Sequence, residues 1–247
     1  MSSYGVFADF YDSLTLNVDY DKRADYILKA LKKHGHNPGL TLDLACGTGN
    51  LTIPLKRRGV DIYGIDGSPE MLSVAQEKSA DEELGILFLC QKMQSIDLYG
   101  TIDTCLCTLD SLNHMTDIDD VGKTFERVSL FMNKGGIFLF DVNTVYKHEN
   151  ILADNTFVYD TDDVFCVWQN SLKENKIVDI DLTFFIPSGK SYIRADQHFS
   201  ERAYTEGELS DMLGKAGFEL EAVYADMSFE SVGDDTQRAV YIARKER

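Results

Sequence analysis

The stretch LTLDLACGTGN, residues 40–50, decides the fold. Leu40, Leu42 and Leu44 alternate with smaller or polar residues and run into Ala45-Cys46-Gly47-Thr48-Gly49, which predicts a buried strand ending in a glycine turn where a helix begins. Turns of this kind are where α/β proteins hold nucleotides. Gly47 and Gly49 let the backbone approach a ligand that any Cβ would exclude, and the free N–H groups of the helix start favour negative charge.

Upstream of this turn, Tyr20, Ala24, Ile27, Leu28 and Leu31 have helical spacing. Asp19 and Asp21 begin that segment, Lys32, Lys33 and His34 end it as the helix dipole prefers, and Gly35 stops it. Downstream, a helix packs Leu51 and Leu55 with Pro54 near its first turn, and a second strand covers 60–66. Ser68-Pro69-Glu70 opens the next helix with an N-cap, a proline at the first helical position and an acid near the positive end. Strands are expected at 86–90 and 103–108, a helix at 116–132, and a fifth strand at 137–142 after the turn Gly135-Gly136. Strand and helix in alternation imply a parallel sheet with helices on both faces.

From about 144 to 204 the pattern changes. Residues 164–168, 176–186 and 191–202 alternate as strands with one exposed face, so an antiparallel insertion is expected. The capping box Thr205-x-x-Glu208 then opens a helix that buries Leu209, Met212 and Leu213 and stops at Gly217. Strands at 218–224 and 238–243 follow, close enough in sequence to pair antiparallel at the sheet edge. The expected architecture is a doubly wound, Rossmann-like seven-stranded sheet with an antiparallel final strand. Residues 1–143 and 205–247 form its core, and the antiparallel β insertion at 144–204 caps it.

Composition narrows the function. A net charge of −17 repels phosphate backbones and anionic membrane surfaces, so nucleic acid and membrane are disfavoured as partners. With 44% hydrophobic residues the 247-residue chain can bury a proper core, and only four prolines and no linker-like run divide it. The N-terminal residues MSSYGVFADFYD lack the basic start and apolar run of a signal peptide. Five cysteines, at 46, 90, 105, 107 and 166, show neither C-x-x-C nor metal-ligand spacing. Those at 46, 90, 105 and 107 sit in apolar runs and are expected to be buried thiols in a reducing cytoplasm.

Two features point to a nucleoside. The glycine turn follows the first strand, and Asp66, 17 residues beyond Gly49, ends the second, where a carboxylate accepts hydrogen bonds from ribose hydroxyls. A dinucleotide site would use a third glycine, but this run has Thr52 there, and no Walker Gly-Lys-Ser/Thr is present. Asp43 adds a negative group close to where a pyrophosphate would lie, which suits a cationic ligand better.

This constellation resembles the class I S-adenosylmethionine-dependent methyltransferases. The matching segments are DLACGTG at 43–49, GIDGSPEML at 64–72, FLCQKM at 88–93, DTCLCTLDSLNH at 103–114 and GGIFLFDVN at 135–143. More narrowly, YGVFADFYDSL near the start and Ser200-Glu201-Arg202-Ala203-Tyr204-Thr205 look like the glycine/sarcosine N-methyltransferase-like small-molecule enzymes and their uncharacterised bacterial relatives. The resemblance implies S-adenosylmethionine as cofactor and a small-molecule methyl acceptor. It places Ala45, Cys46, Gly47 and Gly49 along the methionine part and ribose, and Asp43 on the methionine ammonium. Asp66 with Gly67 would meet the ribose, and Met71 and Met93 would sandwich adenine. Thr108 and Leu109 would lie under the sulfonium, and Tyr20 and Arg23 would stand near the cofactor carboxylate. One position departs from the family. Lys92 stands where an adenine-binding Asp is usual, and since lysine cannot accept, adenine recognition is expected to fall on the backbone around Gln91–Met93 or on the Gln91 amide.

Methyl transfer from a sulfonium is an in-line displacement that needs alignment and a dry cavity more than a strong base. The acceptor-side candidates are Tyr11, Asp110, Asn113, His114, Asp141, Asn143, Trp168, His198, Arg202 and Tyr204, with Asp110, Asn113, His198, Arg202 and Tyr204 as the catalytic set. Each has a plain alternative: a surface histidine, an aromatic of the insertion core, or a turn cap. Alternation puts His198, Ser200 and Arg202 on one face, which means an anionic acceptor if that face looks into the cleft and solvent surface if it looks outward. The competing functions are a macromolecule (tRNA or protein) methyltransferase, a nicotinamide oxidoreductase, and a protein that binds S-adenosylmethionine or S-adenosylhomocysteine without turnover.

Overall fold

A computed structural model describes Asp12 and residues 18–246. Helix α1 (Tyr20–Lys33) starts where Asp19 accepts the Lys22 N–H at 3.0 Å, and it buries Ala24, Ile27, Ala30 and Leu31. Strand β1 (Leu40–Leu44) leads through the glycine turn to the short helix α2 (Thr52–Arg57), whose first turn accommodates Pro54. Next come β2 (Asp61–Asp66), α3 (Pro69–Asp81, capped by Ser68), β3 (Phe88–Cys90), β4 (Ile102–Cys107), α4 (Ile118–Phe131) and β5 (Met132–Asn143). A π-helical turn (Lys147–Leu152) opens the insertion, which holds β6 (Thr156–Asp160), β7 (Phe165–Leu172), β8 (Ile177–Ser188) and β9 (Ser191–Arg202). Helix α5 (Glu206–Lys215), β10 (Phe218–Ala225) and β11 (Arg238–Lys245) end the described chain.

The main sheet has seven strands in the order β10-β11-β5-β4-β1-β2-β3, and only the contacts of β11 are antiparallel. From β1 the chain steps outward to β2 and β3, then returns to β4 on the other side of β1. The crevice beyond the ends of β1 and β4 is therefore the switch point at which such sheets bind ligands. Side-chain alternation sorts the core onto two faces. Leu42, Leu44, Phe138 and Phe140 meet Phe125 of α4 and Leu213 of α5, whereas Leu106, Leu139 and Val240 meet Ala24, Ile27 and Leu31 of α1. The insertion is a separate four-stranded antiparallel sheet, β6-β7-β8-β9, around Val164, Cys166, Ile180 and Phe184.

Several expected boundaries move. The insertion gains β6 and the π-helical turn, because Thr156–Asp160 alternates too weakly to read as a strand alone and pairs with β7 only in three dimensions. Gly135 and Gly136 lie inside β5, not in a turn before it. At Gly136 a Cβ would stand 2.7 Å from the Asp103 carbonyl, so glycine is what lets β5 approach β4 where their register shifts. The last two strands pair as expected, but β11 is wedged between β5 and β10, leaving β10 at the edge. Cys90, at the end of edge strand β3, is exposed, while Cys46, Cys105 and Cys107 are buried. No helix among the described residues is long and apolar enough to cross a membrane.

Candidate active site

The turn after β1 is held open by the end of β2. Gly47 N–H donates to Asp66 Oδ2 at 2.9 Å and Ser68 N–H to Asp66 Oδ1 at 2.8 Å, so one carboxylate fixes both the glycine turn and the start of α3. Burial raises the Asp66 carboxyl, and these N–H groups partly offset the rise. Asp43 is fully buried behind the turn; burial pushes it up to about 7, against the hydrogen bond it accepts from Thr52 Oγ1 at 2.5 Å. From the N-terminal segment, the Asp12 carboxylate accepts hydrogen bonds from Thr48 (2.8 Å) and Asn50 (2.7 Å) and pairs with Lys78 of α3.

The end of β4 is built differently. Leu109 and Asp110 both take positive φ, 57° and 56°, and their N–H groups point together at Asp141, donating at 2.9 and 2.8 Å. Asp141 also accepts from Arg238 at 2.6 Å and, more distantly, from Arg23 at 3.4 Å. Arg238 reaches Asp110 as well, at 3.1 Å. Burial would raise the Asp110 carboxyl, but Arg238, Lys147 and His114 outweigh it and hold it below the ordinary carboxylate range.

A cavity of about 640 Å³ opens at the switch point. Gly47, Asp66, Gly67, Met71 and Met93 line one side, with Ala45, Glu70, Lys92 and Leu109 nearby; Ser111, His114, Met115, Gln197 and Phe199 line the other. A smaller recess behind the turn adds Tyr20, Asp43, Cys46 and Thr108. A Cβ built on Gly47 or Gly67 would meet nothing within 4 Å, so open space lies over both. The buried Tyr20 hydroxyl has no hydrogen-bond partner among the described residues.

Three of the expected cofactor residues are engaged elsewhere. Arg23 forks onto Asp226 at 3.1 and 3.0 Å and lines neither cavity. The Gln91 amide closes on its own loop, donating to the Asp97 carbonyl (3.1 Å) and accepting the Asp97 N–H (2.7 Å), and Gln91 lines neither cavity. Gly49 faces α3, where a Cβ would approach Ala75 to 3.2 Å, and it lines neither cavity.

On the acceptor side, the structure moves every residue of the expected catalytic set out of the cavity lining. Asp110 is tied to Arg238 and Asn143. Asn113 is fully buried and joins three segments: its amide donates to the carbonyls of Asn143 (3.1 Å) and Arg202 (2.8 Å), and its oxygen accepts the Asn143 N–H (2.9 Å). His198 is 59% exposed and bonds Asp181 on the outer face of the insertion. Arg202 donates to the Thr116 carbonyl (3.2 Å), pairs with Glu208 (3.5 Å) and covers the Tyr204 ring. Tyr204 is buried with its hydroxyl on the Met115 carbonyl. Trp168 packs against Phe157 and Tyr159 in the insertion, Asp141 and Asn143 belong to the buried polar network, and Tyr11 lies outside the described residues. His114 does line the cavity. The residues missed on β9 are those of opposite parity, Gln197, Phe199 and Glu201, which face inward. The signal was present in the alternation; nothing in the sequence said which face was in.

A family model of the methyltransferase domain matches residues 41–136. The putative methyltransferase YqeM of Bacillus subtilis (strain 168) is 35% identical, with 99% of this chain and 98% of that protein covered. The crystal structure of an S-adenosylmethionine-dependent methyltransferase from Clostridium acetobutylicum ATCC 824 superposes with a TM-score of 0.90 at 34% identity, covering 99% of each chain. The chain belongs to the S-adenosylmethionine-dependent methyltransferases. A glycine/sarcosine N-methyltransferase of Parasynechococcus marenigrum (strain WH8102) is 30% identical over 139 residues, 54% of this chain and 49% of that one. As a methyltransferase the protein is an enzyme, its cofactor is S-adenosylmethionine, and its reaction needs a methyl acceptor. The site fits that cofactor. Open space over Gly47 and Gly67, a carboxylate at the end of β2 and an unpartnered hydroxyl beside Asp43 are what a cationic nucleoside needs.

Proposed function

We propose that this methyltransferase acts on a small-molecule nucleophile held between the glycine turn and the inward face of β9. The observation that carries this reading is the cavity itself. Its volume lies within the range of small-ligand sites, and the insertion contributes Gln197 and Phe199 to its far wall beside Ser111, His114 and Met115, so an acceptor is flanked on both sides. The net charge of −17 supports it further by opposing a nucleic-acid substrate.

In this reading Asp66, already fixed by two backbone N–H groups, uses its remaining lone pairs on the ribose hydroxyls. Met71 and Met93 flank the base as soft apolar surfaces. Asp43 and Tyr20 attend the amino-acid end, and Lys92 donates near the adenine edge, where base discrimination rests on the backbone. The cofactor supplies an electrophilic methyl group on a cationic sulfur. The protein binds both partners, holds them in line and excludes water, and the fixed turn at Leu109 and Asp110 keeps the floor of the cavity rigid.

The test has two stages. S-adenosylhomocysteine should raise the melting temperature and NAD should not. Label from methyl-tritiated S-adenosylmethionine, incubated with a small-molecule extract, should then appear in a small molecule. Label found only in protein or RNA, or in nothing despite cofactor binding, would overturn the reading.

A further inference from the structure

Glu201 is 4% exposed, and its carboxylate is poorly satisfied. Its one hydrogen bond from the described residues is a long one from Asn143 Nδ2, at 3.4 Å. His148 Nε2 lies 3.8 Å away but has no proton to give. His148 Nδ1 faces the Lys176 carbonyl at 3.1 Å and must donate to it, and burial lowers the imidazole to about 4, so the ring is neutral with a bare Nε2. The other charged groups near this carboxylate are Asp110, which repels it, and Lys147, which attracts it while donating to Asn143 Oδ1 at 2.9 Å. On the cavity side the carboxylate meets His114, whose Nε2 stands 3.7 Å from Glu201 Oε1. The His114 side chain is 47% exposed, lines the cavity, and lies 5.1 Å from the Phe199 ring. Gln197 also lines the cavity, and its buried amide oxygen has no partner among the described residues.

We propose that Glu201 is the positioning residue for His114, and that this imidazole takes the proton a primary or secondary ammonium acceptor loses as its nitrogen is methylated. The proposal rests on the small-molecule reading above and names the acceptor class. With Nε2–H turned to Glu201, the lone pair of His114 resides on Nδ1. An ammonium has no lone pair, so one N–H bond must break first: its proton passes to Nδ1 and its electron pair stays on nitrogen. That pair forms the N–CH3 bond as the S–CH3 bond breaks, and the electrons of the S–C bond remain on sulfur. The resulting imidazolium is balanced by Glu201, at a separation that closes to hydrogen-bond length when the site fills. A second N–H of the acceptor satisfies the Gln197 oxygen, and Phe199 offers a ring to the cation. No Lys or Arg lines this end among the described residues, which disfavours an anionic acceptor.

The experiment uses the full chain, methyl-tritiated S-adenosylmethionine and a panel of small primary and secondary amines with matched alcohols. Amines should take label and alcohols should not. His114→Gln should lower kcat roughly a hundredfold. Glu201→Gln should do so by a similar factor while KM and S-adenosylhomocysteine affinity hold, and it should displace the acidic limb of the pH–rate profile. The double variant should be no slower than the slower single one. Losses that multiply, an unmoved acidic limb, labelled alcohols, or no labelled amine despite bound S-adenosylhomocysteine would each overturn the proposal. Failure to bind S-adenosylhomocysteine would instead overturn the cofactor geometry. If Glu201→Gln does not fold, the half-exposed His114→Gln variant carries the test through its own rate and pH profile.

Discussion

Along the glycine-turn wall of the cavity, hydrogen bonds close short loops. Gly47 reaches Asp66 across 19 residues, and Thr52 reaches Asp43 across nine. Behind the opposite wall the spans are several times longer: Asn113 meets Arg202 across 89 residues, and Arg238 meets Asp141 across 97. The first wall is one strand–turn–helix unit and its neighbour. The second exists only when β4, β5, β9 and β11 have all come together, and in the proposed reading it is the wall that meets the acceptor.

The sharpest way to break the contrast is Arg238→Met. It leaves the buried Asp141 and the half-buried Asp110 without their shared cation and should cost about 3–5 kcal/mol in urea unfolding. A change much below that would mean the network is already solvated. Asp66→Ala should leave the fold intact and weaken S-adenosylhomocysteine binding by roughly 1.5–3 kcal/mol in calorimetry, the scale of a hydrogen bond to a charged group. Unchanged affinity would remove the carboxylate from the ribose. Asn113→Ala orphans buried groups on β5 and β9 and should cost about 1–3 kcal/mol of stability, with little effect on cofactor affinity.

A pH-dependent effect follows from Asp43. Its carboxyl titrates near 7 in the folded chain, against an ordinary value of 3.8, so between those values the folded state holds a proton the unfolded state has lost. Stability of the free protein should therefore fall as pH rises from 3.8 to about 7 and level off above it. Affinity for a ligand ammonium should rise over the upper part of the same window, as Asp43 ionises. Asp43→Asn should flatten both trends in thermal melts and calorimetry. Smallest of all, His198→Ala should change stability by no more than about 0.5 kcal/mol and leave turnover unaltered, because its partner Asp181 is as exposed as it is. A loss of activity there would mean that the outer face of β9 is used.

The two walls also differ in how far the sequence exposes them. Strand, glycine turn and acidic strand end are consecutive, and their conformation is set by residues within a few positions, so β1, the glycine turn and β2 ending at Asp66 are readable directly. On β9 the period-2 pattern was equally clear, but a strand read alone has two equivalent faces. His198 lies on the exposed face and Gln197 and Glu201 on the buried one, a difference of one residue in parity. Arg23 and Gln91 differ for another reason: each is a competent donor in isolation, and only folding brings Asp226 and the Asp97 backbone within reach of them.

By itself, the sequence determined a doubly wound sheet and a glycine turn suited to a cationic nucleoside, because backbone conformation and strand burial are local properties of spacing and residue type. Only the tertiary structure decided which face of the insertion closes the cavity, which carboxylates are neutralised and which are left wanting a proton. Those outcomes depend on contacts between segments tens of residues apart, and on burial that no single segment imposes.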